Sequence, residues 1–60
     1  MHIRQAARRM ILVVDDDEMI RRVVGLVLQR EDYRVALAST AQEAIESATN
    51  ESPSLIILDL

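Results

Sequence analysis

The sequence predicts an α/β fold in which the strands of a parallel sheet alternate with helices. From Met10 onward the apolar residues are grouped as strand, helix, strand, helix, strand. The strand segments are short and β-branched, and the helical segments repeat their apolar residues at 3.6-residue spacing. Each helical segment also opens on a side chain suited to capping it. Such alternation gives βαβ units, a parallel sheet and right-handed crossovers.

The first strand is Met10-Ile11-Leu12-Val13-Val14, a continuous apolar run of the kind expected where both faces of a strand are covered. Asp17 offers the N-cap of the first helix, and Glu18 places negative charge in its first turn. Ile20, Val23, Val24, Val27 and Leu28 follow as one apolar stripe, with Arg21 and Arg22 expected on the solvent side. Gly25, mid-helix at a cost of about 1 kcal/mol relative to Ala, marks a point of close packing. The helix is expected to end near Arg30, where a cation suits the negative end of the dipole.

Glu31-Asp32 reads as a turn, followed by a second strand in which Tyr33, Val35 and Leu37 alternate with Arg34 on the other face. Thr40-Ala41-Gln42-Glu43 matches a capping box, with Thr40 as N-cap and Glu43 reaching back. Ala41, Ala44, Ile45 and Ala48 form a thin second stripe, so this helix should pack closely. Asn50 is expected to close it in a left-handed conformation, before Pro53. Leu55-Ile56-Ile57-Leu58 is the third strand, running into Asp59.

Sixty residues allow at most one small domain, marginal without a partner or more chain. Zero Cys removes disulfide scaffolds, thiolate metal sites and cysteine nucleophiles, and is compatible with a cytoplasmic location. The longest apolar run, five residues, cannot span a bilayer, and three Asp after it do not fit a signal peptide. The net charge of −3 is uneven: residues 1–9 hold Arg4, Arg8 and Arg9 and no acid. That stretch is expected to be a disordered, solvated basic extension; without interleaved aromatics it predicts no direct nucleic-acid contact. His2 lies within it and has no evident partner.

Two strands end in acid, the first in Asp15-Asp16-Asp17 and the third in Asp59. Ligands of open parallel sheets bind beyond the carboxyl ends of the strands. If the first strand is central, Asp15, Asp16 and Asp59 meet at that edge, on strands about 4.8 Å apart. Three carboxylates so close repel one another unless a cation sits among them. All-oxygen donors without His or Cys favour Mg²⁺, leaving coordination open to a phosphoryl oxygen. Taken alone, Asp17 is a helix cap and Asp59 a turn residue; the pairing of Asp59 with Asp15-Asp16 is what points to a site. Thr40 is explained by capping, and neither Ser39 nor Thr40 is expected to act as a nucleophile.

Ile11 to Glu18, Ile20-Arg21, Tyr33-Arg34-Val35, Gln42-Glu43-Ala44-Ile45 and Pro53 to Leu60 together resemble the receiver domain of two-component response regulators. The resemblance covers residues 10–60 in order and spacing. It implies the strand order 2-1-3, as the N-terminal half (β1-α1-β2-α2-β3) of a flavodoxin-like (βα)5 fold. It also implies that Asp59 accepts a phosphoryl group from the phosphohistidine of a sensor histidine kinase or phosphotransfer protein. Asp16 would then be a direct Mg²⁺ ligand and Asp15 one acting largely through water, with Asp59 completing the carboxylate set. Asp17 gets no metal role, and Ala41 stands where many members have Gly.

A complete receiver, by the same resemblance, continues with two strands and three helices that supply a Ser/Thr hydroxyl and a Lys. No Lys occurs in these sixty residues, which on their own are therefore expected to be poorly active. The output domain is not legible here. Two other readings compete. One is a phosphatase-like Mg²⁺ domain with an Asp nucleophile, disfavoured because its acids would stand as Asp-x-Asp after the first strand. The other is an interaction module without phosphorylation, in which the open third strand pairs with another protein or with a second copy. A dinucleotide site is excluded, since one Gly cannot form a glycine-rich loop.

Overall fold

The computed structural model describes residues 8–59. Five elements follow one another: β1 (Met10–Asp15), α1 (Glu18–Arg30), β2 (Arg34–Ala38), α2 (Ala41–Glu51) and β3 (Leu55–Asp59). The three strands are parallel in the order β2-β1-β3. All six residues of β1 are buried, as its unbroken apolar run requires. Among the described residues no helix is long and apolar enough to cross a membrane.

Strand alternation sends successive side chains of β1 to opposite faces. Leu12 and Val14, with Ala38 of β2, form the buried core on one face, against which Ala44 and Ala48 of α2 pack. The other face receives α1 through Gly25, the only buried residue of that helix. A Cβ there would lie 3.2 Å from Leu37 Cδ2 and 3.7 Å from Val35 Cγ1. Gly25 thus marks where α1 lies closest to β2, and a methyl there would require the Leu37 tip to give by a few tenths of an ångström.

Of the expected apolar stripe of α1 only Val24 and Leu28 are covered. Instead of the stripe Ile20-Val23-Val24-Val27-Leu28, the covered residues are Arg21, Val24, Gly25 and Leu28. Ile20, Val23 and Val27 are 48–53% exposed, on the side of α1 away from β2. Neither helix contacts β3 among the described residues. Its Leu55, Ile56, Ile57 and Leu58 are therefore all exposed, although β1 pairs with the strand along its whole length.

The ends of α1 and α2 also depart in detail from expectation. Asp17 Oδ1 accepts the Ile20 N–H at 3.0 Å, as its N-cap role requires. At the other end Asp32, at φ 72°, takes the left-handed position, with its N–H on the Gln29 carbonyl and that of Tyr33 on Leu28. This is a Schellman closure, and it uses the Tyr33 N–H, so β2 begins at Arg34 and not at Tyr33. In α2, Asn50 remains helical; Ser52, at φ 50°, is the left-handed cap and donates its N–H to Ala48. The helix runs on because Pro53, not Asn50, sets the limit of its last turn.

The capping box of α2 is half formed as expected, with Thr40 Oγ1 accepting the Glu43 N–H at 3.1 Å. Its reciprocal half reaches one residue further back. Glu43 Oε1 accepts both the N–H and the hydroxyl of Ser39, at 2.8 and 2.9 Å.

Of the basic extension expected over residues 1–9, residues 1–7, including His2, lie outside the described residues. The described part is tied to the fold: the Arg9 carbonyl accepts the Arg34 N–H at 2.9 Å, and Arg8 is 3.6 Å from Asp32.

Candidate phosphoryl-acceptor and metal site

The carboxyl edge of the sheet is where the chain gathers its acids. Asp15 and Asp59 are partners in the β1–β3 register, one pair beyond Val14 and Leu58. In a parallel pair such partners project to the same face, so both carboxylates stand on the α1 side of the sheet. Their environments differ. Asp15 is 6% exposed, whereas Asp59 is open to solvent.

Asp15 also organises the loop that follows it. Its Oδ1 accepts the Asp17 N–H at 2.9 Å, closing a tight turn, and Asp17 then caps α1. Asp16, the central residue of this turn, is exposed. It borders a shallow surface depression together with Asp17, Glu18, Met19, Arg22 and Val23. Above the loop, Arg21 Nη1 donates to the Asp15 carbonyl at 2.8 Å.

On the other side of β1 the register pairs Val14 with Ala38, so Ser39 and Thr40 leave the sheet at this same edge. The two Ser39 hydrogen bonds, backbone first, hold the Glu43 carboxyl below its ordinary value, with a further contribution from Arg21. Burial opposes them, by more than Arg21 adds.

The edge therefore brings Asp15 and Asp59 side by side and Asp16 next to them in the chain. The three do not converge into a single cluster, and no group of three or more His, Cys, Asp or Glu forms one among the described residues. The Asp15 carboxylate is turned back onto its own loop, where it accepts the Asp17 N–H. The donor set nevertheless fits Mg²⁺. It is all oxygen, two of its members are adjacent across a strand pair, and Asp16 and Asp59 are open to water. Mg²⁺ keeps several waters and needs only one or two carboxylates from a protein.

Sequence reading placed Arg21 in solvent and took Glu43 for a cap alone. The missed signal was the spacing of Arg21 from Val24, Gly25 and Leu28, which puts it on the glycine face of α1, one turn from the acids.

The comparisons with known proteins agree with this geometry. A family model described as the response regulator receiver domain matches residues 11–60. The chain is 44% identical over 50 residues to the transcriptional regulatory protein SrrA of Staphylococcus aureus strain NCTC 8325 / PS 47. The SrrA proteins of strains COL and Mu50 / ATCC 700699 are equally similar. Each match covers 83% of this chain and 21% of the relative, so the chain spans about a fifth of their length. No solved structure matches it. With the 2-1-3 parallel sheet and the acids at its carboxyl edge, the match over residues 11–60 shows that the chain belongs to the response regulator receiver family.

Proposed function

We propose that this chain is the phospho-accepting part of a two-component relay, with Asp59 as the acceptor. The observation that carries it is the in-register pair of Asp15 and Asp59, one buried and fixed, the other exposed at the sheet edge. The donor is the phosphohistidine of a sensor histidine kinase or a phosphotransfer protein. A carboxylate oxygen of Asp59 attacks phosphorus, the P–N bond breaks, and the imidazole leaves as its proton is supplied from solvent. The product is an aspartyl phosphate.

Asp15, Asp16 and Asp59 would hold Mg²⁺, which when bound neutralises charge on the phosphoryl oxygens. The residues present do the rest. The turn made by Asp15 fixes where Asp16 stands, and the β1–β3 ladder fixes Asp59 opposite Asp15. The chain is on this reading a substrate of its kinase and a switch, not a turnover enzyme. It works in the cytoplasm, as part of a longer protein that, like the transcriptional regulatory protein SrrA, regulates transcription.

The test is transfer from a phosphorylated histidine kinase, or from acetyl phosphate with Mg²⁺, read by intact mass and by acid-labile label. Addition of one phosphoryl group, lost in Asp59→Asn, is the expected result. Label that persists in Asp59→Asn, or steady hydrolysis of a phosphate monoester, would overturn the assignment, the latter in favour of a phosphatase.

For a polypeptide of residues 1–60, the exposed apolar residues of β3 favour one further reading, association through that strand. Pairing there is compatible with phosphorylation, since Asp59 lies at the end of the strand and not within its apolar part.

A further inference from the structure

Arg21 is the basic residue on the covered face of α1, half-buried in line with Val24, Gly25 and Leu28. A surface arginine would need no such place. Its Nη1 reaches six residues back along the chain to the Asp15 carbonyl, at 2.8 Å. Its backbone N–H makes the first intrahelical bond of α1, to the Asp17 carbonyl at 3.0 Å, so the side chain reaches back from the first turn of the helix. The same cation also lowers the Glu43 carboxyl, which sits on α2, though less than the Ser39 hydrogen bonds do. One side chain of α1 thus ties down the end of β1 at the acidic edge.

The carbonyl it holds is not an arbitrary one. The peptide unit is planar, so fixing the oxygen of Asp15 fixes the direction in which the Asp16 nitrogen and Cα leave it. Asp16 is exposed and stands at the centre of the Asp15–Asp17 turn, directly after the peptide whose oxygen Arg21 holds. Its orientation therefore depends on the peptide that precedes it.

We propose that Arg21 is a positioning residue: by pinning the Asp15 carbonyl it sets the Asp15–Asp16 peptide and aims the Asp16 carboxylate at the ion it shares with Asp59. This rests on the Mg²⁺ reading above. Arg21 acts through the backbone and touches neither the ion nor the phosphoryl group.

Removing the cation outright would mix two opposing effects on Mg²⁺, since lost orientation weakens binding and lost repulsion strengthens it. Arg21→Lys keeps the charge and loses the rigid planar fork, so it isolates orientation. In the full-length chain, titration calorimetry with Mg²⁺ should show affinity falling about tenfold in Arg21→Lys, the scale of a partner that orients a metal ligand. Amide exchange at Asp16 and Asp17 should quicken in the metal-free protein, while the melting temperature stays put.

In the unaltered chain, a scalar coupling across the hydrogen bond from the Arg21 guanidinium to the Asp15 carbonyl is expected, and its absence would overturn the proposal even if no variant folds. Unchanged Mg²⁺ affinity in Arg21→Lys would overturn it as well. Asp16→Asn separates this outcome from failure of the underlying reading. Affinity lost in Asp16→Asn and kept in Arg21→Lys counts against Arg21 alone, whereas affinity unchanged in Asp16→Asn counts against the metal site itself.

Discussion

Asp15 and Asp59 stand opposite each other in the β1–β3 register, the first buried at 6% exposure and the second open to water. Two like charges so placed oppose folding when no cation lies between them. Asp59→Asn is therefore expected to stabilise the metal-free protein, by on the order of 0.5 kcal/mol. Mg²⁺ should raise the unfolding midpoint of the parent and do so much less in the variant. Urea titrations with and without Mg²⁺ measure both effects. A variant less stable than the parent without metal would show that the pair does not repel.

Gly25 sits where an added Cβ would meet the tip of Leu37 at 3.2 Å. For Gly25→Ala, a helix-propensity gain of about 1 kcal/mol opposes a contact that Leu37 relieves by a small shift, so the net change should be near zero. Gly25→Val should cost about 1–3 kcal/mol, because its larger side chain pushes α1 off Val35 and Leu37. Denaturant unfolding of the two variants distinguishes packing from propensity. Equal stability of both would mean that α1 does not lie as close to β2 as described.

Ser39 lowers the Glu43 carboxyl from its ordinary 4.5 through two hydrogen bonds. A carboxyl depressed in the folded state stabilises it above the unfolded value and loses that contribution as pH falls through the folded value. The Ser39 amide shift should therefore titrate with a midpoint below 4.5, and Glu43→Gln should remove that titration. Ser39→Ala removes the hydroxyl only and should move the midpoint part of the way back, since the backbone N–H contributes more. A midpoint at or above the ordinary value would refute the contact.

Thr40 caps α2 through a 3.1 Å bond from the Glu43 N–H. Thr40→Ala should cost about 1 kcal/mol, while Thr40→Ser should be close to neutral. Thermal unfolding followed by circular dichroism reads the difference. Equal losses in both variants would assign the effect to the methyl group instead of the cap.

β3 offers a free edge and four exposed apolar residues, Leu55 to Leu58. Sheet edges of this kind pair with one another unless charge or chain covers them. A polypeptide of residues 1–60 should self-associate at micromolar concentration, and Ile57→Lys should return it to a monomer. Light scattering coupled to size exclusion measures it. A monodisperse parent with protected Leu55–Leu58 amides would show that β3 is stable as a bare edge.

The kind and order of the elements were legible in the sequence because they depend on local chemistry. A β-branched run makes β1, apolar residues at helical spacing make α1, and Asp17 and Thr40 cap the helices from within a few residues. The acids at the ends of β1 and β3 were legible for the same reason, since each simply follows an apolar strand. What the sequence left undecided depends on contacts between elements far apart in the chain. Only packing against Val35 and Leu37 turned the Gly25 face of α1 inward, which exposed Ile20, Val23 and Val27 and carried Arg21 over the acidic edge. Only the β1–β3 ladder set Asp59 beside Asp15. Periodicity defines a helical stripe about 100° wide or more, and the closest approach of two backbones decides which part of that stripe meets the sheet.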